Sequence, residues 1–414
     1  MQVPKYLVVF ILANFLLWNI WIRINYKKAS STFPHEKQRS IPNDVTFQES
    51  DLLYSTPITL DIESLRKAYS DKVTDLKRNK AWKRFGQRHL CSSNVRLNHP
   101  CLDTACNLTL SPASSDANFQ SVFKPLTRVK DVSGRLSEAL GPYRSASEVT
   151  FVTGASSNHF KESQALMKNL HKTVFPHLKN YTFYFYDLGL TSEERQQVVK
   201  HCGCEVRSFP FHVLPERFAF LNCYIWKPLI IQAVLPHTEI VIWVDASIRF
   251  VTGNLKPLFD GVRSSGLLLY FTDFSAGQFT SKKMFDYFGD SACQFETYGQ
   301  LGAGFIAAHN ERFTRDVILK TWWACAVDPE CMCIDYDNRE LRCDVTIRKY
   351  SKCHRFEQAA LTLMLAKLFR EFTFSFRFPN GMYFTVKRSH TENYFEELEA
   401  KIHRDMSDRI KIKY

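Results

Sequence analysis

The spacing of apolar positions changes three times along this chain. Residues 6–22 (YLVVFILANFLLWNIWI) carry no charge and are mostly apolar. That run lies at the short end of the roughly 20 residues a membrane-spanning helix needs, and Trp18, Trp21 and Tyr26 suit an interfacial aromatic belt. From residue 26 to about 82 the sequence is polar, charged and without period, which reads as a stem. Residues 84–143 hold three cysteines and turn-rich stretches such as Ser111-Pro112-Ala113-Ser114-Ser115, which predicts a small disulfide-tied extension.

Regular alternation begins near Glu148. Residues 149–153 predict a buried strand followed by a Gly-Ala-Ser-Ser turn, then a helix with Leu166, Leu170 and Val174 four apart. An aromatic strand spans 181–186 and ends at Asp187. Thr191-x-x-Glu194 is a capping box opening the next helix, and 204–209 predicts a third strand. Residues 221–234 predict a helix with Pro228 at its start or at a kink. Residues 240–244 (IVIWV) form a short apolar strand. Strands alternating with helices predict a parallel sheet covered on both faces, with ligands bound at the carboxyl ends of its strands. Trp322-Trp323, in a helical run, reads as packing.

Composition adds a compartment to this outline. The chain has 414 residues, 45% apolar and 23% charged, as an ordinary globular protein does. Its net charge of +12 favours anionic partners or a membrane surface. No zinc-finger or RNA-binding signature is present, so nucleic acid is not expected as a partner. The 12 cysteines are even in number and clustered. Their tight pairs, Cys202-x-Cys204 and Cys331-x-Cys333, fit disulfides better than a zinc site. Asn107-Leu108-Thr109 and Asn180-Tyr181-Thr182 are N-glycosylation sequons. Arg23, Lys27 and Lys28 follow the apolar run, and by the positive-inside rule they would keep the following chain in the cytosol. The cysteines and sequons argue for the lumen and are given precedence. A cleaved signal peptide competes with the uncleaved anchor, but no small-x-small cleavage site follows the run.

The chemistry gathers at strand ends. Asp245 directly follows the 240–244 strand, where a carboxylate can hold a divalent cation bridging two phosphates. The plainer reading is a turn aspartate. Lys227 could neutralise a phosphate or be a surface lysine. Gly302 and Gly304 allow close backbone approach or tight sheet packing. Thr153, Ser156 and Ser157 follow the first strand. Glu357 is a candidate base or hydroxyl ligand, or a helix-start glutamate, with Gln358 beside it.

The segment Trp243-Val244-Asp245-Ala246-Ser247 resembles the metal-binding segment of glycosyltransferases of the A-type fold, nearest the glycogenin and galactosyltransferase-like group and animal and plant domains with a Trp-x-Asp-Ala segment. Three stretches match in order: Tyr224-Ile225-Trp226-Lys227-Pro228, Gly299-Gln300-Leu301-Gly302-Ala303-Gly304-Phe305-Ile306, and His354-Arg355-Phe356-Glu357-Gln358-Ala359-Ala360-Leu361. The match covers roughly 148–370. The resemblance implies a Rossmann-like, mostly parallel sheet flanked by helices. It implies transfer of a sugar from a nucleotide-diphosphate donor to a glycan or glycoprotein acceptor. It assigns Glu357 and Gln358 to catalysis, and Thr153, Ser156, Lys227, Asp245, Ser247, Gly302 and Gly304 to the nucleotide sugar. Manganese would sit on Asp245 and His390. The family's second metal aspartate is Ser247 here, a poorer ligand. A literal Asp335-Tyr336-Asp337 lies in a cysteine-rich loop rather than after an apolar strand.

The expected organisation is a cytoplasmic tail (1–5), a transmembrane signal anchor (6–25), a stem (26–83), a cysteine-containing extension (84–145) and a catalytic domain (146–414). The expected setting is the Golgi membrane, single-pass and type II, with the domain luminal. The alternative is an inactive domain of the same fold, kept as a binding or scaffold protein.

Overall fold

The computed structural model describes residues 46–54, 60–84, 110–143, 147–334, 343–344, 349–379 and 381–411. The expected span at 6–22, residues 26–45 and 55–59 of the stem, Asn107, Asp335 and Asp337, and Cys91, Cys101 and Cys106 lie outside them. Among the described residues no helix is long and apolar enough to cross a membrane.

Residues 46–414 form one compact unit. Helix α1 (Ile62–Arg78) falls within the stretch read as stem, yet it is part of this unit. Asp61 caps it by accepting from Ser64 N–H at 3.0 Å. Its apolar stripe buries Leu76 fully, and Lys72 reaches Glu311 at 2.8 Å. Trp82 stacks on Phe372 at 4.0 Å. The stem reading failed because a single amphipathic stripe diluted by many charges looks aperiodic until its partner surface is known. Helices α2 (Asp116–Val122) and α3 (Ser133–Leu140) follow. Asn118 of α2 donates to the Lys367 carbonyl at 3.1 Å, so this region too is built into the domain.

The core alternates as expected through strand β1 (Ser147–Ala155), helix α4 (Phe160–Asn169), strand β2 (Tyr181–Asp187), helix α5 (Ser192–His201), strand β3 (Glu205–Ser208), helix α6 (Trp226–Val234) and strand β4 (Thr238–Val244). The Thr191–Glu194 capping box forms in both directions. Helix α6 begins at Trp226 rather than 221. Tyr224, with φ of 53°, breaks the preceding helical turn, and Pro228 falls in the first turn, where no N–H is needed.

Strand β5 (Ile248–Phe250), helix α7 (Lys256–Ser265), strand β6 (Leu267–Ser275), strand β7 (Gly299–His309), helix α8 (Lys320–Val327), helix α9 (Phe356–Phe369), strand β8 (Phe384–Val386) and helix α10 (Tyr394–Lys411) complete the unit. The main sheet has the order β3-β2-β1-β4-β7-β6. Three of its five pairings are parallel, as the mostly parallel expectation has it, and β7 is the one strand that runs against the others in this sheet. β1 pairs parallel with β2 and β4, whereas β7 runs antiparallel to both β4 and β6. Strands β5 and β8 form a separate antiparallel pair.

Strand β4 is buried on both faces, each aliphatic side chain contributing about 1.5–3 kcal/mol. Ile240, Ile242 and Val244 join Phe151, Phe185 and Phe305 against α4 and α7. Trp243 points the other way and meets Trp226 of α6 at 5.4 Å. Helix α9 covers β7, with Ala360, Leu361 and Leu365 buried.

Candidate active site

After β1 the chain builds the sheet outward through β2 and β3, then returns to place β4 on the other flank of β1. A crevice opens at such a switch point, outside the carboxyl ends of the strands. Asp245 stands there at the end of β4. Its N–H donates to the Gly304 carbonyl at 2.8 Å, so β7 fixes its backbone. Its side chain has the parity of Trp243, and Oδ1 accepts from the Trp243 Nε1–H at 2.6 Å. The carboxylate stays about one-third exposed, at 34%.

Lys227 projects from α6 to the same point and is 1% exposed. Its ammonium meets Asp245 Oδ1 at 3.0 Å, Glu357 Oε1 at 3.3 Å and the Ala303 carbonyl at 3.0 Å. The rings of Tyr224, Trp226 and Trp243 lie 5.3, 5.7 and 5.4 Å away. Burial works against the charged ammonium, but the two carboxylates outweigh it and hold the lysine above its ordinary pKa. All three N–H donors are therefore spent inside the protein. This corrects the reading of Lys227 as a phosphate contact: it ties the end of β4 to the start of α9. Glu357, 2% exposed, is bound into the same triad, and its carbonyl accepts from Trp322 Nε1–H at 2.9 Å. It positions rather than meets an acceptor. Gln358 is half-buried, and its Oε1 has no partner among the described residues.

The two glycines serve a side chain that the sequence motifs do not single out. Tyr270 of β6 pairs with Gly302. A Cβ at Gly302 would come within 2.2 Å of the Tyr270 ring, and one at Gly304 would lie 3.2 Å from the Tyr270 hydroxyl and 3.1 Å from Asp245 Oδ2. The space cleared by Gly302 and Gly304 is filled by tyrosine, so neither glycine opens directly to a sugar. Burial, then the Asp245 carboxylate, raises the phenol above its usual pKa. Alternation along β7 puts Gln300 on this face. It is fully buried, and neither amide atom has a partner among the described residues.

On the parallel side, Ser156 directly follows β1 and donates to Asn158 Oδ1 at 2.6 Å. Thr153 does not reach the crevice: the hydroxyl is fully buried and donates to the Val244 carbonyl at 2.7 Å, tying β1 to β4. His159 and Glu162 pair at 2.8 Å nearby, and that hydrogen bond raises the histidine pKa.

The segment 387–390 closes over the Asp245–Ser247 turn. Lys387 N–H donates to the Ser247 carbonyl at 2.7 Å, and Ser389 N–H to Glu162 Oε1 at 3.0 Å. Arg249 donates to the His390 carbonyl at 2.8 Å and to its Nδ1 at 3.3 Å, while His390 Nε2 is 3.8 Å from Glu392. His390 is thus engaged away from Asp245, which counts against its expected place as a metal ligand. Ser247 is 7% exposed. Among the described residues no three of His, Cys, Asp and Glu gather into a metal-binding group. One carboxylate with Oδ1 already doubly engaged is a poor match for the six or more oxygens a hard divalent cation collects.

The described disulfides join Cys202–Cys204, Cys223–Cys333, Cys325–Cys331 and Cys343–Cys353. Cys223–Cys333 spans 110 residues and anchors the turn before α6. Asn180 is exposed in the turn before β2.

Residues 93–232 match a family model described as a protein of unknown function (DUF1647). None of the curated proteins matches this chain in sequence. The neighbours in structure are glycosyltransferases, the group the motifs resemble. The apo bifunctional glycosyltransferase WbbM is 12% identical with a TM-score of 0.35, covering 56% of this chain and 38% of its own. Mouse xyloside xylosyltransferase 1 is 10% identical with a TM-score of 0.37, covering 60% of this chain and 100% of its own. Core-mannan synthase A from Aspergillus fumigatus, in a Mn/GDP form, is 8% identical with a TM-score of 0.31, covering 55% of this chain and 72% of its own. This chain thus spans well under half the length of WbbM.

Proposed function

We propose that this protein transfers a sugar from a nucleotide-diphosphate donor to a hydroxyl of a glycan or glycoprotein acceptor. The observation that carries the reading is Asp245: a partly exposed carboxylate at the sheet's switch point, locked to Glu357 through a fully buried lysine. Such fixed charge at a crevice edge orients a polar ligand without reorganisation. In the reaction the bond from the anomeric carbon to the diphosphate oxygen breaks, and the diphosphate leaves with the electron pair. A bond to the acceptor oxygen forms, and the acceptor proton passes to base or solvent. Asp245 Oδ2 and Gln358 Oε1 would accept from sugar hydroxyls, with Lys227 and Glu357 holding both in register.

Residues 6–22 would anchor the chain in the Golgi membrane with the domain luminal. Disulfide formation and the exposed Asn180 sequon support this side of the membrane. A glycosidase-sensitive mass shift lost in Asn180→Gln would support luminal exposure, whereas an unglycosylated Asn180 would count against it.

A second reading is a binding protein without transfer. The tyrosine filling the glycine slot favours it, because the ring occupies room beside Asp245. To decide, the purified full chain would be titrated with nucleotide sugars and assayed for release and transfer of the sugar. Turnover that Asp245→Ala abolishes supports the transferase. Binding without turnover leaves the binding protein, and no binding sinks both.

A further inference from the structure

We infer that the donor diphosphate is held by the basic segment at Lys387 and Arg388 rather than by a divalent cation. The inference rests on the nucleotide-sugar reading above and deepens it. The first ground is the donor set. Asp245 Oδ1 is engaged by Trp243 and Lys227 at 2.6 and 3.0 Å. The Lys227 ammonium already sits where it balances that carboxylate. Ser247 is buried and its carbonyl is taken by Lys387 N–H. His390 is held by Arg249.

The second ground is what stands over that turn. The β5–β8 pairing brings Ile248 opposite Val386, and the ladder continues through Lys387 N–H to the Ser247 carbonyl at 2.7 Å. Ser389, with φ of 60°, is pinned to Glu162, and His390 to the buried Arg249. Arg388 is therefore held by backbone bonds of both its neighbours, one of them to Ser247 in the turn after β4. Both Lys387 and Arg388 are exposed, and neither side chain has a hydrogen-bond or ion-pair partner among the described residues. Long cations left unpaired on a fastened backbone, at the edge where a diphosphate would lie, match the phosphate-binding geometry of a guanidinium fork. They would supply the positive charge that a metal supplies elsewhere.

The test titrates the purified full chain with UDP, GDP, ADP and CDP by calorimetry, once in EDTA and once in manganese. The expected result is one nucleotide whose Kd agrees between the two conditions to within a factor of about three, a difference well under 1.4 kcal/mol. Arg388→Ala should weaken it about tenfold to a hundredfold, as loss of a charge-assisted contact does. Arg388→Lys should recover part of the loss. Nucleotide binding seen only with manganese overturns the inference and leaves the transferase reading standing. Metal-independent binding that survives Arg388→Ala combined with Lys387→Ala also overturns it. No nucleotide bound in either condition overturns the inference and the site reading together.

Discussion

The parallel and antiparallel halves of the sheet meet at β4, and their carboxyl edges treat polar groups differently. On the parallel side, three polar side chains at the edge bond locally. Thr153 bonds Val244, Ser156 bonds Asn158, and Asp187 accepts from Gly189, Leu190 and Arg195. On the antiparallel side, beside α9, buried polar atoms stay unmatched among the described residues: both amide atoms of Gln300, Gln358 Oε1, Arg355 Nε and Thr280 Oγ1. An unmatched buried polar atom costs about 1–3 kcal/mol. Unmatched atoms occur elsewhere too, Arg207 Nε of β3 among them, but five of the twelve among the described residues gather beside α9, where a ligand or ordered water would complete them. The difference locates the working edge between β4, β7 and α9, with the parallel side as its frame.

The comparison breaks most readily at Lys227. Replacing it with Met leaves Glu357 buried and Asp245 without its counter-ion. Denaturant unfolding should show a loss of about 3–5 kcal/mol. A loss under about 1 kcal/mol, the value of an exposed pair, would mean the triad is not buried as described. Next comes the glycine slot. Gly302→Ala pushes a methyl into the Tyr270 ring and should destabilise by about 1–3 kcal/mol. Tyr270→Ala in the same chain should remove most of that penalty, and a purely additive double mutant would deny the contact.

Thr153→Val sharpens the contrast from the parallel side. It removes the hydrogen bond to Val244 and should cost about 1 kcal/mol. Nucleotide binding should be unchanged, and a tenfold loss would show that the parallel edge does more than frame the site. The smallest effect is a titration. His159 has its pKa raised from the ordinary 6.5, first by its hydrogen bond to Glu162. The stabilisation is fully present below about 6.5 and fades as pH rises through the raised folded value. Glu162→Gln should lower the His159 pKa in an NMR titration and flatten that part of the pH profile. An unmoved pKa would break the assigned pair.

What could be read from the sequence alone was local. The run IVIWV is apolar at every position, so it had to be an inner strand, and the polar residue after it had to stand at an edge. The Thr191–Glu194 box satisfies helix-end N–H groups within four residues, so it also announced itself. The rest was decided by residues far apart. Lys227 and Glu357 are separated by 130 positions, and nothing near either reveals that each neutralises the other. The helix at Ile62–Arg78 shows its packed face only against Leu368 and Glu311. Tyr270 takes the glycine slot because an antiparallel strand sets it against Gly302, and pairing direction is absent from any single strand's pattern. The sequence determined the elements and put Asp245 at an edge, because backbone hydrogen bonding and side-chain period act over a few residues. Tertiary structure decided which charges are spent and which stay free, because that depends on burial and on partners brought together only by the fold.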